Sequence, residues 1–261
     1  MTRIADRYDA FLFDLDGVLY RGTEPVPRAA DALARLRDMG KGLAFVTNNS
    51  SRSPEEVAER LRAVGVSASP AEVVTSALVT AEVLGDRGVG SVFVVGERGL
   101  RDALAARGIA VLEGEPHRAD AVVVGWDRAA DYDKLRIASV LVERGASLVA
   151  SNPDVSFPAA EGEVWPGAGA LLAVITSTTG APAEVIGKPH APLLEAAHAR
   201  AGGGAPLLVG DRLDTDIAGA VALGWDSMLV LTGVSTREDV RASAFAPTYT
   251  VEDLSLLVED D

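Results

Sequence analysis

Two aspartates, Asp14 and Asp16, directly follow a short apolar run, Ala10–Phe13, that predicts a buried strand. In open α/β sheets, ligands bind beyond the carboxyl ends of the strands, so both carboxylates are candidates for one cavity. Like charges that close repel each other unless they share a cation or a proton. The pair therefore indicates a metal or acid–base site, although aspartates that only begin a loop would give the same pattern.

A hydroxyl and two side-chain amides follow a second apolar run. Residues 43–46 are apolar, and Thr47, Asn48 and Asn49 come next. A hydroxyl and successive backbone amides at the end of a strand can hold phosphate oxygens. Asparagine also favours ordinary turns, so this motif alone leaves a phosphate site and a polar turn both open.

Two later segments add a lysine and three acids. Lys188 stands between a glycine and a proline, where a fixed backbone would let it present a point charge to a phosphoryl group. Asp211, Asp214 and Asp216 follow the run 206–209. Magnesium takes hard oxygen ligands, often one or two carboxylates together with waters and substrate phosphate. The alternative is that Asp214 caps a helix, which leaves Asp211 available to a metal.

Strand-like and helix-like segments alternate along the whole chain and would position these motifs. Apolar runs predict strands, and segments with helical periodicity and helix end signals lie between them. This alternation predicts an α/β fold with a parallel sheet. The predicted strands cover residues 10–13, 43–46, 91–95, 121–125, 148–150 and 206–209, and the predicted helices 28–39, 54–64, 99–106, 132–143, 168–176, 192–201 and 215–223.

Composition limits the function classes. The chain has 261 residues, 48% of them hydrophobic, with no cysteine and a formal net charge of −14. A disulfide scaffold and a thiolate metal site are therefore excluded. The N-terminus predicts neither a secretory signal nor a membrane span, and a cytoplasmic location is the default. The negative charge argues against nucleic acid and anionic membranes as partners, while a bound cation would still admit a phosphate ester to one pocket.

The motifs occur in the order DxDG, TN, GKP and GDxxxxD, and this order resembles the haloacid dehalogenase-like (HAD) phosphatase superfamily. The resemblance is to subfamily IIA, which includes 4-nitrophenylphosphatases, phosphoglycolate phosphatases and pyridoxal phosphate phosphatases. It covers essentially the whole chain. It is carried by DLDGVLYRG (14–22), TNNSSRS (47–53), SNPDVSFP (151–158), PGAGAL (166–171), GKP (187–189) and GDRLDTDI (210–217).

The resemblance implies a Rossmann-like parallel-sheet core with an inserted α/β cap of the C2 type. The core would comprise residues 1–78 plus 186–261, and the cap residues 79–185. Closure of the cap would exclude water and select the leaving group. Caps of this type often dimerise in relatives, so a homodimer formed through the cap is also implied.

The resemblance also assigns catalytic roles. Asp14 would be the nucleophile that attacks phosphorus, and Asp16 the general acid and then the general base. Mg²⁺ would be held by Asp14, the backbone carbonyl of Asp16 and Asp211, and Asp216 would orient a metal-bound water. An aspartate two positions after the nucleophile points to a phosphatase or a phosphomutase, and the cap type argues against the phosphomutase.

Phosphate binding is assigned to the second and third motifs. Thr47, the backbone at Asn48 and Asn49, and Lys188 would hold the transferring phosphoryl oxygens, as fixed donors that stabilise charge in a transition state.

The substrate is left open within small phosphorylated metabolites. Relatives that act on pyridoxal phosphate carry a histidine where this chain has Phe157, so pyridoxal phosphate is disfavoured. Phosphoglycolate, glycerol 3-phosphate, a sugar phosphate or 4-nitrophenyl phosphate remain. Two alternatives to the phosphatase are a phosphotransferase with an acceptor other than water and a catalytically silent binding protein.

Overall fold

A computed structural model describes residues 3–158 and 163–259 of the chain. The helices are α1 Ala29–Asp38, α2 Pro54–Ala63, α3 Ser76–Asp86, α4 Arg98–Ala106, α5 Tyr132–Glu143, α6 Ala168–Thr179, α7 Ala191–Arg200, α8 Ala218–Leu223 and α9 Arg237–Ala242. The strands are β1 Ala10–Phe13, β2 Tyr20–Arg21, β3 Glu24–Pro25, β4 Gly42–Thr47, β5 Val73–Thr75, β6 Ser91–Val95, β7 Ala110–Leu112, β8 Ala121–Val124, β9 Ser147–Ala150, β10 Ser156–Pro158, β11 Val164–Pro166, β12 Glu184–Val185, β13 Pro206–Gly210, β14 Asp226–Val230 and β15 Tyr249–Val251.

The chain divides into two compact units. The first unit comprises Met1–Thr47, Pro54–Val74 and Lys188–Asp261, and the second comprises Asn48–Ser53 and Thr75–Gly187. The second unit thus begins at Thr75, four residues before the predicted start of the cap, and also takes in the short segment 48–53. That the two units act as core and cap stays a prediction.

A six-stranded sheet forms the centre of the first unit, in the order β15-β14-β13-β1-β4-β5. β1 is buried along its whole length, as its AFLF sequence predicts, and it pairs in parallel with β13 and β4. The register places Phe13 opposite both Val209 and Phe45. These three strands therefore end at nearly the same level, so the residues that follow them share one edge of the sheet.

Helix α1 shows how the first unit closes its core. Ala29, Leu33 and Leu36 are buried on one face of this helix, as their spacing predicts. They join a cluster that includes Phe11 and Phe45 from the central strands. The cluster covers one face of the sheet, and such burial of apolar surface is the main source of stability for a layered α/β unit.

The second unit has its own parallel sheet, in the order β12-β9-β8-β6-β7. Helices α5 and α6 pack together on one face over a buried cluster that includes Phe93, Val122 and Ile175. An antiparallel ribbon, β10–β11, follows β9 in the chain. The predicted α/β class with parallel sheets is confirmed.

No helix within 3–158 or 163–259 combines the length and the apolar character needed to cross a bilayer.

Candidate active site

Three carboxylates meet at the carboxyl edge of the first unit's sheet. Asp14 leaves β1, and its backbone N–H donates to Val209 O at 2.8 Å. Asp211 comes directly after β13, and Asp216 lies in a π-helical turn, Leu213–Ile217. One ligand oxygen from each of the three aspartates lies within 4.8 Å of the others. The described carboxylates able to share one ion in this way do not include Asp16.

Lys188 lies among these carboxylates. Its Nζ is 2.7 Å from Asp14 Oδ1 and 2.7 Å from Asp216 Oδ1, and the residue is only 2% exposed. Burial by itself would lower the pKa of the Lys188 ammonium, but Asp14 and Asp216 more than offset that effect, and the pKa is raised above its ordinary value. Lys188 is therefore a fixed positive charge at neutral pH.

Asp216 is the most deeply placed of the three carboxylates. It is fully buried, and it accepts hydrogen bonds from Lys188 Nζ and from the backbone N–H of Arg212 at 3.1 Å. Burial raises the pKa of Asp216 to about 6, with Lys188 opposing and Asp14 adding to the shift. The Asp216 carboxylate thus belongs to the cluster itself, and its role of orienting a metal-bound water stays a prediction.

Asp211 provides the test of whether a metal fits. Its Oδ2 accepts from Val234 N at 2.7 Å, whereas its buried Oδ1 accepts no hydrogen bond from any residue in the described part of the chain. Burial, and then the charges of Asp14 and Asp216, raise its pKa to about 8. Three carboxylates facing one ammonium leave an excess of negative charge. An orphaned carboxylate oxygen in such a set fits a hard divalent cation such as Mg²⁺.

A loop that the sequence motifs did not identify encloses Asp211. The Val234 amide donates to the carboxylate, and the Ser235 amide donates to the Asp211 carbonyl at 3.1 Å. A Cβ atom added to Gly233, or to Gly17 on the other side, would overlap the Asp211 carboxyl group. The available signal was the pair Thr232-Gly233, which follows the apolar strand β14 after one intervening residue.

Asp16 has a different environment from Asp14. Asp16 is exposed and forms an isolated bridge with Tyr20 at the entrance to the β2–β3 hairpin. The next residue, Gly17, has φ +83°, which lets the chain turn sharply there. Asp16 is thus accessible to solvent, and its role as general acid and base stays a prediction.

The Thr-Asn-Asn motif extends from the end of β4. Thr47 is the last residue of β4 and is buried. The Asn49 carboxamide oxygen accepts from the backbone N–H of Ser51 at 2.8 Å and from the Ser51 hydroxyl, which forms a local turn. The Asn49 side chain thus forms the polar turn that was one of the two interpretations of this motif. Phosphate binding by the Asn49 backbone stays a prediction.

Phe157 lies in β10, where the ribbon register pairs it with Trp165. Its side chain is outside the described part of the structure, so its predicted role toward the substrate stays a prediction.

Chemically, the cluster can activate one nucleophile and hold one anion. The Asp14 side chain is 13% exposed, whereas that of Asp216 is inaccessible. Of these two carboxylates, Asp14 is thus the one that an incoming ligand can reach. Lys188 beside it offers a fixed ammonium to the phosphoryl oxygens, and the carboxylate oxygens around it suit a divalent cation.

Comparisons with known proteins agree with this geometry. A family model described as a haloacid dehalogenase-like hydrolase matches residues 11–110, and a second, HAD-hydrolase-like model matches residues 185–257. An acid sugar phosphatase of Staphylococcus aureus is 40% identical over 252 residues, which cover 95% of this chain and 96% of that protein.

Solved structures give the same result. A glycerol phosphate phosphatase from Mycobacterium tuberculosis, in complex with magnesium, superposes with a TM-score of 0.93 at 38% identity, over 100% of this chain and 79% of that one. A thermostable NPPase double mutant from Geobacillus stearothermophilus superposes with a TM-score of 0.88 at 35% identity, over 99% of both chains. The predicted resemblance is thereby confirmed, and the chain belongs to the haloacid dehalogenase-like hydrolases, in subfamily IIA.

Proposed function

We propose that this protein is a Mg²⁺-dependent phosphatase that hydrolyses small phosphate monoesters through a phospho-aspartate on Asp14. The observation that carries the proposal is the buried cluster in which Lys188 Nζ lies 2.7 Å from the accessible carboxylate of Asp14. The relatives support it, since those compared above are named as an acid sugar phosphatase, a glycerol phosphate phosphatase and an NPPase. Phosphoglycolate, which the sequence analysis also left open, is a small phosphate monoester and stays among the proposed substrates.

In the first step, an Asp14 carboxylate oxygen attacks phosphorus, and the bond from phosphorus to the ester oxygen breaks. Asp16 gives its proton to the leaving alkoxide, so the products are an acyl phosphate on Asp14 and a free alcohol. Lys188, the Thr47 hydroxyl and the backbone amides of Asn48 and Asn49 would hold the phosphoryl oxygens. Asp14, Asp211 and the Asp16 carbonyl would hold Mg²⁺, which would supply positive charge that lets two anions approach.

In the second step, water attacks the phosphorus of the acyl phosphate. Asp16, now ionised, takes a proton from that water, the bond between phosphorus and the Asp14 oxygen breaks, and phosphate leaves. Both aspartates return to their starting states. The exposed position of Asp16 supports a role in both proton transfers, because each transfer involves solvent or a departing alcohol.

We assign the role of cap to the second unit, which would cover the reacting phosphate and select the leaving group. This assignment follows the resemblance on which residues 79–185 were predicted to form the cap. The homodimer formed through the cap and the cytoplasmic location stay predictions of the sequence.

Phosphate release from a panel of esters, with MgCl₂ and with EDTA, tests the proposal. The panel contains phosphoglycolate, glycerol 3-phosphate, sugar phosphates and 4-nitrophenyl phosphate. We expect Mg²⁺-dependent release by the wild type, and a loss of at least about 10³-fold in Asp14→Asn, because the nucleophile is removed. Asp31→Asn, at an exposed site in α1, is the matched control and should keep full activity.

The outcomes separate the alternatives. Consumption of the ester only when an alcohol or sugar acceptor is added, with the phosphoryl group recovered on that acceptor and not as free phosphate, would replace the hydrolase with a phosphotransferase. If the folded wild type gives no turnover with any ester or acceptor, the enzyme proposal is wrong and a binding role remains.

A further inference from the structure

Asn48 lies where several segments of the second unit meet. Its backbone oxygen accepts from Ser76 Oγ at 2.7 Å and from Asn152 Nδ2 at 2.8 Å. Its side-chain Nδ2 donates to Asp154 Oδ2 at 3.2 Å. A Cβ atom on Gly187 would lie 2.6 Å from Asn48 Oδ1, so a larger residue there would displace the carboxamide. Both the peptide group and the side chain of Asn48 are thus held by the second unit.

These contacts fix a peptide group that is proposed to bind phosphate. The peptide unit is planar and trans, so the N–H of Asn49 points opposite to the carbonyl of Asn48. Two donors hold that carbonyl, and the direction of the Asn49 N–H is therefore set. The Asp154 carboxylate holds the side chain of the same residue, which restrains the remaining rotation of the segment after β4.

Asp154 itself has a rigid setting. Its backbone N–H donates to Asn152 Oδ1 at 3.1 Å, and its carbonyl accepts from Gly169 N, in the first turn of α6, at 2.8 Å. Cβ atoms on Gly167 or Gly169 would overlap the carbonyl oxygens of Asp154 and Pro153, so these glycines allow the loop to lie directly on the helix. Asp154 is therefore a pre-organised support for Asn48.

We infer that Asp154 is a positioning residue for phosphate binding, which acts by holding the Asn48 side chain so that the 47–49 segment presents its donors in one conformation. The inference rests on the proposed function, because that function assigns phosphate binding to the 47–49 segment. It goes further by assigning a part in phosphate binding to a residue outside the motifs predicted to hold the phosphoryl oxygens. Loss of the Asp154 carboxylate should then weaken every phosphate ligand alike, whatever its leaving group.

Inorganic phosphate is the probe, because it has no leaving group for a cap to recognise. Its affinity is measured by calorimetry in MgCl₂ and as an inhibition constant against 4-nitrophenyl phosphate. We expect Asp154→Ala and Asn48→Ala each to weaken phosphate about fivefold to tenfold, the worth of one hydrogen bond. The double variant should be no weaker than Asn48→Ala, since the effect of Asp154 passes through Asn48. Asp133→Ala, at an exposed site of α5, is the matched control and should bind phosphate as the wild type does.

Asp154→Asn serves as the conservative variant, because its amide oxygen can still accept from Asn48. It should bind phosphate with an affinity between those of the wild type and Asp154→Ala. If Asp154→Ala does not fold, Asp154→Asn is measured in the wild-type and Asn48→Ala backgrounds instead. Its smaller loss of phosphate affinity should appear in the wild type and vanish in Asn48→Ala. A loss that persists undiminished in that background overturns the inference.

The remaining outcomes are also decisive. Wild-type affinity for phosphate in a folded Asp154→Ala variant overturns the positioning role and leaves the proposed function standing. A changed KM for only one ester, with unchanged phosphate inhibition, shows that Asp154 contacts a leaving group instead and overturns the inference. A wild type that binds no phosphate overturns the inference, whereas the proposed function stands or falls with the turnover of esters.

Discussion

Lys188 is a buried cation between two carboxylates, and its removal should affect stability and turnover differently. Its Nζ lies 2.7 Å from oxygens of both Asp14 and Asp216. In Lys188→Met, buried negative charge loses its partner, so we expect the free energy of unfolding to fall by about 3–5 kcal/mol. Turnover should fall at least about 100-fold because a fixed donor to the phosphoryl group is lost. Urea unfolding and 4-nitrophenyl phosphate hydrolysis measure the two effects.

A second substitution separates the two effects of Lys188. Asp216→Asn removes one of the charges that Lys188 neutralises, so Lys188→Met/Asp216→Asn should regain much of the stability while turnover stays low. Recovery of turnover along with stability would show that Lys188 serves only the fold.

At the residue scale, the sequence predicted the clustered groups but not their supports. Asp14, Lys188 and Asp211 could be assigned together because their motifs all match the family pattern, and two of them directly follow apolar runs that pair as neighbouring strands. The bond between Asn48 and Asp154 joins residues 106 positions apart, and although both lie in segments that match the family pattern, nothing in the sequence relates one segment to the other. Such contacts depend on how loops fold over helix ends, which hydrophobic periodicity does not encode.

At the scale of elements, the loop after β14 should control metal binding. A Cβ atom on Gly233 would overlap the Asp211 carboxylate. Gly233→Ala should therefore displace Asp211 and raise the Mg²⁺ concentration for half-maximal activity about tenfold or more, with a loss of about 1–3 kcal/mol in stability from overpacking. A magnesium titration of turnover and urea unfolding measure these changes.

Gly90→Ala is the matched control for the Gly233 variant. A Cβ atom at Gly90 would meet only Asp120 Oδ2, at 3.4 Å, in the second unit. This variant should keep the wild-type magnesium dependence. An unchanged magnesium dependence in Gly233→Ala would show that the loop does not position Asp211.

Element prediction succeeded where periodicity was clear and failed where it was absent. Helix α5 begins and ends as predicted because it is amphipathic and Asp131 caps it. Helix α3 was missed, since its apolar residues show no clear helical periodicity and include Val79 next to Thr80, whose types favour strands. The helix predicted from residue 215 begins instead as the π-helical turn Leu213–Ile217, where Asp216 accepts from Arg212 N.

At the scale of the whole molecule, the buried carboxylates set the pH dependence of stability without metal. The pKa values of Asp211 and Asp216, about 8 and about 6, lie above the value of 3.8 expected in an unfolded chain. The folded protein thus keeps protons that the unfolded chain releases. Their stabilising effect is complete below about pH 4 and is lost as pH rises through 6 and then 8. In EDTA, the unfolding temperature should fall between pH 5 and pH 8.5.

Two comparisons test this assignment. Asp211→Asn should flatten the part of the curve above pH 6, whereas Asp31→Asn should keep the wild-type slope. MgCl₂ should reduce the fall, because a cation that binds only the folded state replaces the lost protons. An unfolding temperature in EDTA that rises over this range would contradict the assigned protonation.

The division into two units is the structural feature that the composition of the chain predicted least well. No Pro/Gly-rich linker separates the units, and the second unit takes in both 48–53 and 75–187. Its bounds were approached only through the family resemblance, because the boundaries fall within or close to strands and helices and not in a segment of distinct composition.

The central strand of the first unit has a consequence for synthesis on the ribosome. β1 pairs on one side with β4, which follows closely, and on the other with β13, whose first residue, Pro206, pairs with Ala10. During synthesis, one edge of this apolar strand near the N-terminus therefore has no pairing strand until almost two hundred further residues have been translated. Meanwhile the second unit's sheet, drawn from 91–185, is complete in the nascent chain. The inserted unit can fold first, and the waiting edge is where a stalled or truncated chain would aggregate.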